Sequence, residues 1–335
     1  MHAGVHGFLR LGRAGPSRAS GGPGASPPPA DRQRHDQRAQ GAGLAAAATG
    51  AAAAAAAVAD GTPTSPINLT GASASPGSWY GLELLATATG AAVDNVVISY
   101  PVRGLNLAAA GADALAAITV QNASQYGLYA SAGNPTVSGF TAISAASVGV
   151  VIDAAGSLTL SNCILRNNGG YGIQFAPTSA GRTLAVTNCT INSNGSYGVR
   201  TLASSPGTVT VTGSIITNHS SYGVARSDAS TVTTSYSDVW NNASGNFLGG
   251  TQSNVIASNP LYVSATNLRL TSNSPARFGA MGGGDQGALP YLTDPTPGLH
   301  GTLWTSTTLA LAASPYAIAG DLTVGPGVTV TIQAG

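Results

Sequence analysis

The sequence predicts an all-β solenoid, a stack of short parallel coils, and three observations carry that prediction. A glycine followed by an aliphatic residue recurs at Gly81-Leu82, Gly104-Leu105, Gly127-Leu128, Gly149-Val150, Gly172-Ile173, Gly198-Val199 and Gly223-Val224. Tyrosine precedes that glycine in five of the seven cases, at Tyr80, Tyr126, Tyr171, Tyr197 and Tyr222. Three blocks, "NCILRNNGGYG", "NCTINSNGSYG" and "GSIITNHSSYG", align without gaps. The intervals of 22 to 26 residues are too short for a propeller blade, and no helix-length pattern accompanies them. A coil of two or three short strands remains, each hydrogen-bonded to the next at ~4.8 Å.

Residues 1–41 are rich in Gly, Pro and Arg and carry too little apolar surface to offset their ordering entropy. Residues 42–59 are mostly alanine, so 1–59 is expected to be a disordered, low-complexity leader. From Asp60 short β-branched runs alternate with Gly, Asn and Ser, and the coils are expected over 60–250. Within a coil, the aliphatic after each marker glycine is expected to point inward. Gly172, Gly198 and Gly223 fit a corner where φ is positive or a side chain would clash. Asparagines at matching turns, Asn162 with Asn188 and Asn168 with Asn194, are expected to form amide ladders, with His219 standing in for the next Asn. Cys163 and Cys189 occupy equivalent positions in neighbouring coils. Their side chains point the same way, which strains a bridge, so two free buried thiols are expected.

The motif Asn-x-x-(Ile/Leu)-x-x-Asn-x-x-Tyr-Gly-(Ile/Val), clearest in 162–173 and 188–199, resembles the right-handed parallel β-helix repeat proteins, the class that includes pectate-lyase-like folds. The resemblance covers about residues 60–290. It extends to "NPLYVSATNLRLTSNSPARFGAMGGGDQGALP", which looks like the closing segment of bacterial secreted members and places that segment at 251–290. The sequence departs from the pattern at Arg277-Phe278, where Ile-Asp is usual. Right-handedness is implied by the resemblance and by the crossover rule for parallel strands. Residues 291–335 look like a linker and the opening of another such unit, stopping mid-pattern at Gly335, so the chain is read as a fragment. An extracellular or cell-surface location is implied by the resemblance alone. Arg10 and Arg13 interrupt the place where a signal peptide would need an apolar core.

Composition narrows the function. There are 45 glycines and no lysine, and from Asp60 onward ten acids stand against seven arginines. That balance argues against nucleic acid, which needs clustered positive charge. The longest apolar run, 44–58, is too short and alanine-rich to span a membrane. Nothing points to a cofactor, and two cysteines without a ligand-spaced histidine make no metal site. A polysaccharide lyase or hydrolase on this scaffold would need converging acids. Placed by offset from the marker glycine, Glu83, Asp94, Asp113, Asp153, Asp228 and Asp238 never match in adjacent coils. The catalytic set therefore stays unknown. The residue two after each marker glycine alternates to the outside. In that column Tyr129, Gln174 and Arg200 are the candidates for stacking on, and hydrogen bonding to, a sugar chain.

The reading is then a non-catalytic secreted or surface protein that binds polysaccharide along this ladder. A lyase or hydrolase is the first alternative and an adhesin or tail-spike-like fibre the second.

Overall fold

The computed structural model describes residues 9–11, 58–85, 91–108 and 114–334. Two long parallel sheets dominate it. Sheet A has nine strands: Leu9–Leu11, Leu82–Leu84, Arg103–Leu107, Tyr126–Ala130, Val148–Ala154, Ile173–Pro177, Val199–Thr201, Tyr222–Arg226 and Gly245–Leu248. Its order follows the sequence, one strand per coil, as a solenoid requires. Sheet B gathers the remaining strands of the coils, 15 in all, and every pairing within both sheets is parallel.

Between the sheets lies one continuous core. Leu82, Leu105, Leu128, Val150, Ile173, Val199 and Val224 stack in register and are all at most 1% exposed, the inward ladder the repeat predicts. From sheet B come Val137, Leu160, Val186 and Val211, and from the break between two of its half-strands the aromatic Phe140. A single coil exposes both of its edges, so burial of this core depends on neighbours above and below.

In the early coils sheet B strands run unbroken, as in Ala92–Ser99 and Ala114–Gln121. Later each splits into two halves, such as Leu158–Ser161 and Ile164–Arg166, or Thr183–Thr187 and Thr190–Asn192. A residue of positive φ marks the break: Gly139 (61°), Asn162 (54°), Asn188 (50°), Gly213 (60°) and Tyr236 (49°). Asparagine tolerates this left-handed region better than other residues with a Cβ, and glycine is free in it. Asn162 and Asn188 therefore hold a backbone corner, which differs from the amide ladder expected of them.

The amide ladder lies one turn further on, and it is buried. Asn168 and Asn194 are 1% and 2% exposed. Asn168 donates its backbone N–H and its Nδ2 to Asn194 Oδ1, at 3.0 and 2.9 Å. Asn194 Nδ2 reaches Leu165 O at 3.1 Å and His219 Nε2 at 3.2 Å. His219 Nδ1 lies 2.7 Å from Asn242 Oδ1. An amide oxygen only accepts, so Nδ1 carries the ring proton and Nε2 accepts from Asn194. His219 thus continues the column as a neutral ring, 2% exposed, and burial pushes its pKa down to about 4.

The two thiols are free and buried, as expected. Cys189 Sγ accepts the backbone N–H of Cys163 at 3.4 Å, and Ser214 and Ser237 repeat that contact in the next coils, at 3.1 Å each. Burial holds the Cys189 thiol well above its ordinary range.

The marker glycines choose between the two reasons offered by the sequence. Gly172, Gly198 and Gly223 do not sit at positive φ. Instead a Cβ on Gly172 would lie 2.6 Å from Gly198 O, and one on Gly198 would lie 2.5 Å from Gly223 O. Each glycine leaves room for the carbonyl of its equivalent in the next coil.

Two segments behave differently from a simple stack. Most of the expected leader lies outside the described residues, but Leu9–Leu11 pairs with Leu82–Leu84 and Val58–Asp60 pairs with Ala92–Asp94. Strand pairing into sheet B thus begins at Val58. The closing segment folds back over the breaks and the second half-strands of sheet B, leaving the first half-strands uncovered. Ala288 N donates to Thr190 Oγ1 (2.9 Å), Gly287 N to Gly213 O (2.8 Å) and Gln286 Nε2 to Tyr236 O (2.9 Å). At Arg277-Phe278, where the family pattern is broken, the Arg277 guanidinium sits 4.1 Å from the Tyr291 ring centre and Phe278 meets Trp304 edge-on at 5.1 Å. These contacts tie the closing segment to the C-terminal strands. There Leu299–Leu303 pairs with Ile318–Val324 and Thr307–Leu309 with Val330–Ile332, both parallel.

Asp238 points outward from sheet B but is fully covered. Its Oδ1 accepts the Ser258 N–H at 3.1 Å, and burial raises its pKa to about 7. Asp238 and His219 therefore titrate in opposite senses. His219 is depressed below its ordinary 6.5, so the unfolded chain takes up a proton first and stability falls as pH drops from about 6.5 to 4. Asp238 is raised above its ordinary 3.8, so its contribution is full at acid pH and is lost as pH rises towards 7. At 1.36 kcal/mol per pH unit the two span roughly 3 kcal/mol for His219 and roughly 4 kcal/mol for Asp238. The urea midpoint of the native protein should be nearly flat between pH 4.5 and 6.5. In His219→Asn it should climb steadily as pH falls, and in Asp238→Asn it should decline. A flat profile in both variants contradicts these assignments.

Candidate functional site

The outer face of sheet A brings the sequence candidates into one column. Strand register aligns Glu83, Asn106, Tyr129, Val151, Gln174, Arg200 and Ala225. Tyr129 and Arg200 are three coils apart, roughly 14 Å at the spacing of paired strands. Gln174 is half-buried between them, and the small neighbours Val151 and Ala225 leave the larger side chains standing above the sheet.

Each end of the column is organised by an arginine over tyrosine rings. At the first, the Arg103 guanidinium lies 4.2 Å from the Tyr129 ring centre and 5.5 Å from that of Tyr126. The two rings are stacked, 5.8 Å apart at 14°. Tyr129 donates its hydroxyl to Asp153 Oδ2 at 2.7 Å, while Asp153 Oδ1 accepts the N–H of Ala154 at 2.7 Å. Burial and the adjacent Asp153 carboxylate push the Tyr129 pKa up to about 12, so the phenol stays a donor.

At the second end, Arg200 lies 4.4 Å from the Tyr197 ring centre and 5.5 Å from that of Tyr171. Its Nη1 donates to Tyr171 Oη at 2.9 Å and its Nε to Ser227 Oγ at 3.2 Å. Tyr171, Tyr197 and Tyr222 run up the coils as an aromatic ladder, with centroid separations of 5.4 and 6.3 Å. A guanidinium held over a ring gains a cation–π contact, and its planar fork stays fixed for bidentate hydrogen bonding.

The sequence reading missed Arg103 and the tyrosines before the glycines as members of this surface. Tyr126 and Leu128 are two apart, and strict alternation puts them on one side. In the structure Leu128 is fully buried while Tyr126, in the same strand, is only half-buried and stacks on the outward Tyr129. The signal available was the five-fold recurrence of Tyr itself.

The acids have local work. Asp228 accepts the N–H groups of Ala203 (2.5 Å) and Ser230 (2.7 Å), and Asp285 those of Phe278 (3.2 Å) and Tyr291 (2.8 Å). Glu83 accepts from Asn106 Nδ2 at 2.9 Å. Among the described residues no three His, Cys, Asp or Glu side chains gather as a metal site would need.

A family model described as the right-handed beta helix region matches residues 80–236 and 178–274, together more than half of the chain. The chain belongs to that family. The matched span covers the coils of this β-helix from Tyr80 and reaches into the closing segment. No curated protein matches the chain, and no solved structure does. Among the described residues of the β-helix no helix is long and apolar enough to cross a membrane.

Proposed function

We propose that this β-helix is a non-catalytic protein, secreted or displayed at the cell surface, that holds a polysaccharide along the outer face of sheet A. The observation that carries the reading is the pair of Arg–Tyr stacks at the two ends of one straight column. Tyrosine rings offer apolar faces for the C–H side of a sugar, and the arginine forks offer donors to its hydroxyls or carboxylates. The engagement of Asp153, Asp228 and Asp285 with local turn N–H groups favours holding over cleaving.

Affinity electrophoresis through gels containing acidic or neutral polysaccharides tests this. Migration of the native protein should be retarded by at least one acidic polysaccharide. The Tyr129→Ala and Arg200→Ala variants should lose most of that retardation while keeping the β-sheet circular dichroism spectrum. Equal retardation of the variants and the native protein overturns the site. Release of reducing ends or unsaturated products, with or without calcium, overturns the non-catalytic assignment.

A further inference from the structure

The first half of each sheet B coil presents a face of a different kind. Its outward residues are Thr183, Ala185 and Thr187 on one strand, Thr208, Thr210 and Thr212 on the next, and Thr231, Thr233 and Ser235 on the third. Parallel pairing sets them in columns: Thr183–Thr208–Thr231, Ala185–Thr210–Thr233–Thr251 and Thr187–Thr212–Ser235–Ser253. The middle column continues into earlier coils through Thr159 and Thr136, and the third through Ser161 and Ser138. Thr183, Thr208, Thr210, Thr231 and Thr251 are exposed. The alternate residues Leu184, Val186, Val209, Val211 and Val232 are buried beneath them and pin the strands to a packed core.

This is a two-dimensional array. Neighbouring columns are ~6.6 Å apart along a strand, two residues of rise, and neighbouring rows are ~4.8 Å apart across strands. Threonine is stiff at χ1, so each position offers one hydroxyl and one methyl in a fixed direction. In the third column the Thr212 and Ser235 hydroxyls approach to 3.3 Å, which fixes their rotamers further.

The chemistry of the face selects its ligand. From Thr136 and Ser138 onward no ionisable side chain stands in these columns, Asp94 and Asp60 lying two and three coils below Ser138, so a charged partner gains nothing on the threonine rows. No aromatic ring stands in them either, so the face lacks the stacking platform that sheet A has for a sugar. What remains is a rigid partner that itself repeats on a short and a long edge and exchanges hydrogen bonds with hydroxyls. The prism face of hexagonal ice is such a lattice, with one short and one long edge of this order. We infer that the threonine face of sheet B binds ice. The hydroxyls replace water positions in the lattice, and the methyls order water in the gaps between them.

Nanolitre osmometry of the full chain, with crystals observed as they grow, tests the inference. The native protein should hold the freezing point below the melting point and facet the crystal. The double variant Thr210→Lys, Thr233→Lys should bring the hysteresis down to that of buffer, with the circular dichroism spectrum unchanged. If the double variant does not fold, Thr208→Lys at the exposed edge reads the same loss. Tyr129→Ala, on the opposite sheet, should keep the full hysteresis, which separates this face from the glycan face. Absence of hysteresis and faceting in the native protein overturns the inference, as does full activity in the lysine variants. Sedimentation with crystalline cellulose or chitin powder but not with ice overturns it as well.

Discussion

Asn194→Leu should lower the unfolding free energy by about 3–6 kcal/mol, a large part of the stability of an ordinary domain. Leucine has the same number of side-chain heavy atoms and the same branching as asparagine and adds apolar surface, so simple burial predicts a small gain. The hydrogen bonds decide otherwise. Asn194 Oδ1 accepts both the backbone N–H and the Nδ2 of Asn168, and Asn194 Nδ2 donates to Leu165 O and to His219 Nε2. All of these groups are buried in the stack, and removing one partner leaves each with its full desolvation penalty, about 1–3 kcal/mol apiece. The exposed Asn68 is the control. Its Nδ2 donates to Pro66 O at 3.1 Å, where water can substitute, and Asn68→Leu should cost less than about 1 kcal/mol. Urea denaturation of both variants checks the contrast, and equal costs for the two contradict it.

Gly198→Ala should be the second large effect, at roughly 3 kcal/mol or above, the upper end of what overpacking costs. The added methyl would meet Gly223 O at 2.5 Å, Ile216 Cγ2 at 2.5 Å and His219 Cε1 at 3.0 Å. The nearest atom is backbone of the next coil, so no rotamer change relieves it, and the two coils must move apart. Gly181 provides the comparison on the spatial side, since a Cβ there meets nothing within 4 Å, though its φ of 71° brings a local backbone strain instead. Gly198→Ala should therefore lower the thermal midpoint more than Gly181→Ala. The reverse order contradicts carbonyl crowding as the reason for the marker glycines.

The stack was legible in the sequence because a solenoid repeats its environment every coil. Leu82 to Val224 recur at one offset, and one offset in a coil means one ladder in space. Residues whose role depends on fine position were less legible. Asn162 and Asn168 are the same residue type, six apart, yet one holds a left-handed corner at φ 54° and the other lies 1% exposed in an amide column. Residue type alone does not separate the two roles, because asparagine suits both. The docking of the closing segment was hidden for another reason. Its contact from Ala288 to Thr190 joins residues about a hundred positions apart that share no repeat. On sheet A the column Tyr129, Gln174, Arg200 followed from alternation, whereas Arg103 and Tyr126 depart from it: Tyr126 shares a parity with the buried Leu128 yet stacks on the outward Tyr129.

That column also separates fold from function. Arg200 and its tyrosines lie outside the core, so they should matter little to stability and greatly to binding. The direct measurement is to titrate the native protein and Arg200→Ala calorimetrically with the polysaccharide that retards the native protein most, and to record the thermal midpoint of each. Loss of at least tenfold in affinity, with a midpoint shift of no more than a few degrees, is the predicted result. Unchanged affinity, or affinity lost only together with a collapse of the thermal midpoint, contradicts the assignment of the outer face of sheet A as a glycan-binding surface.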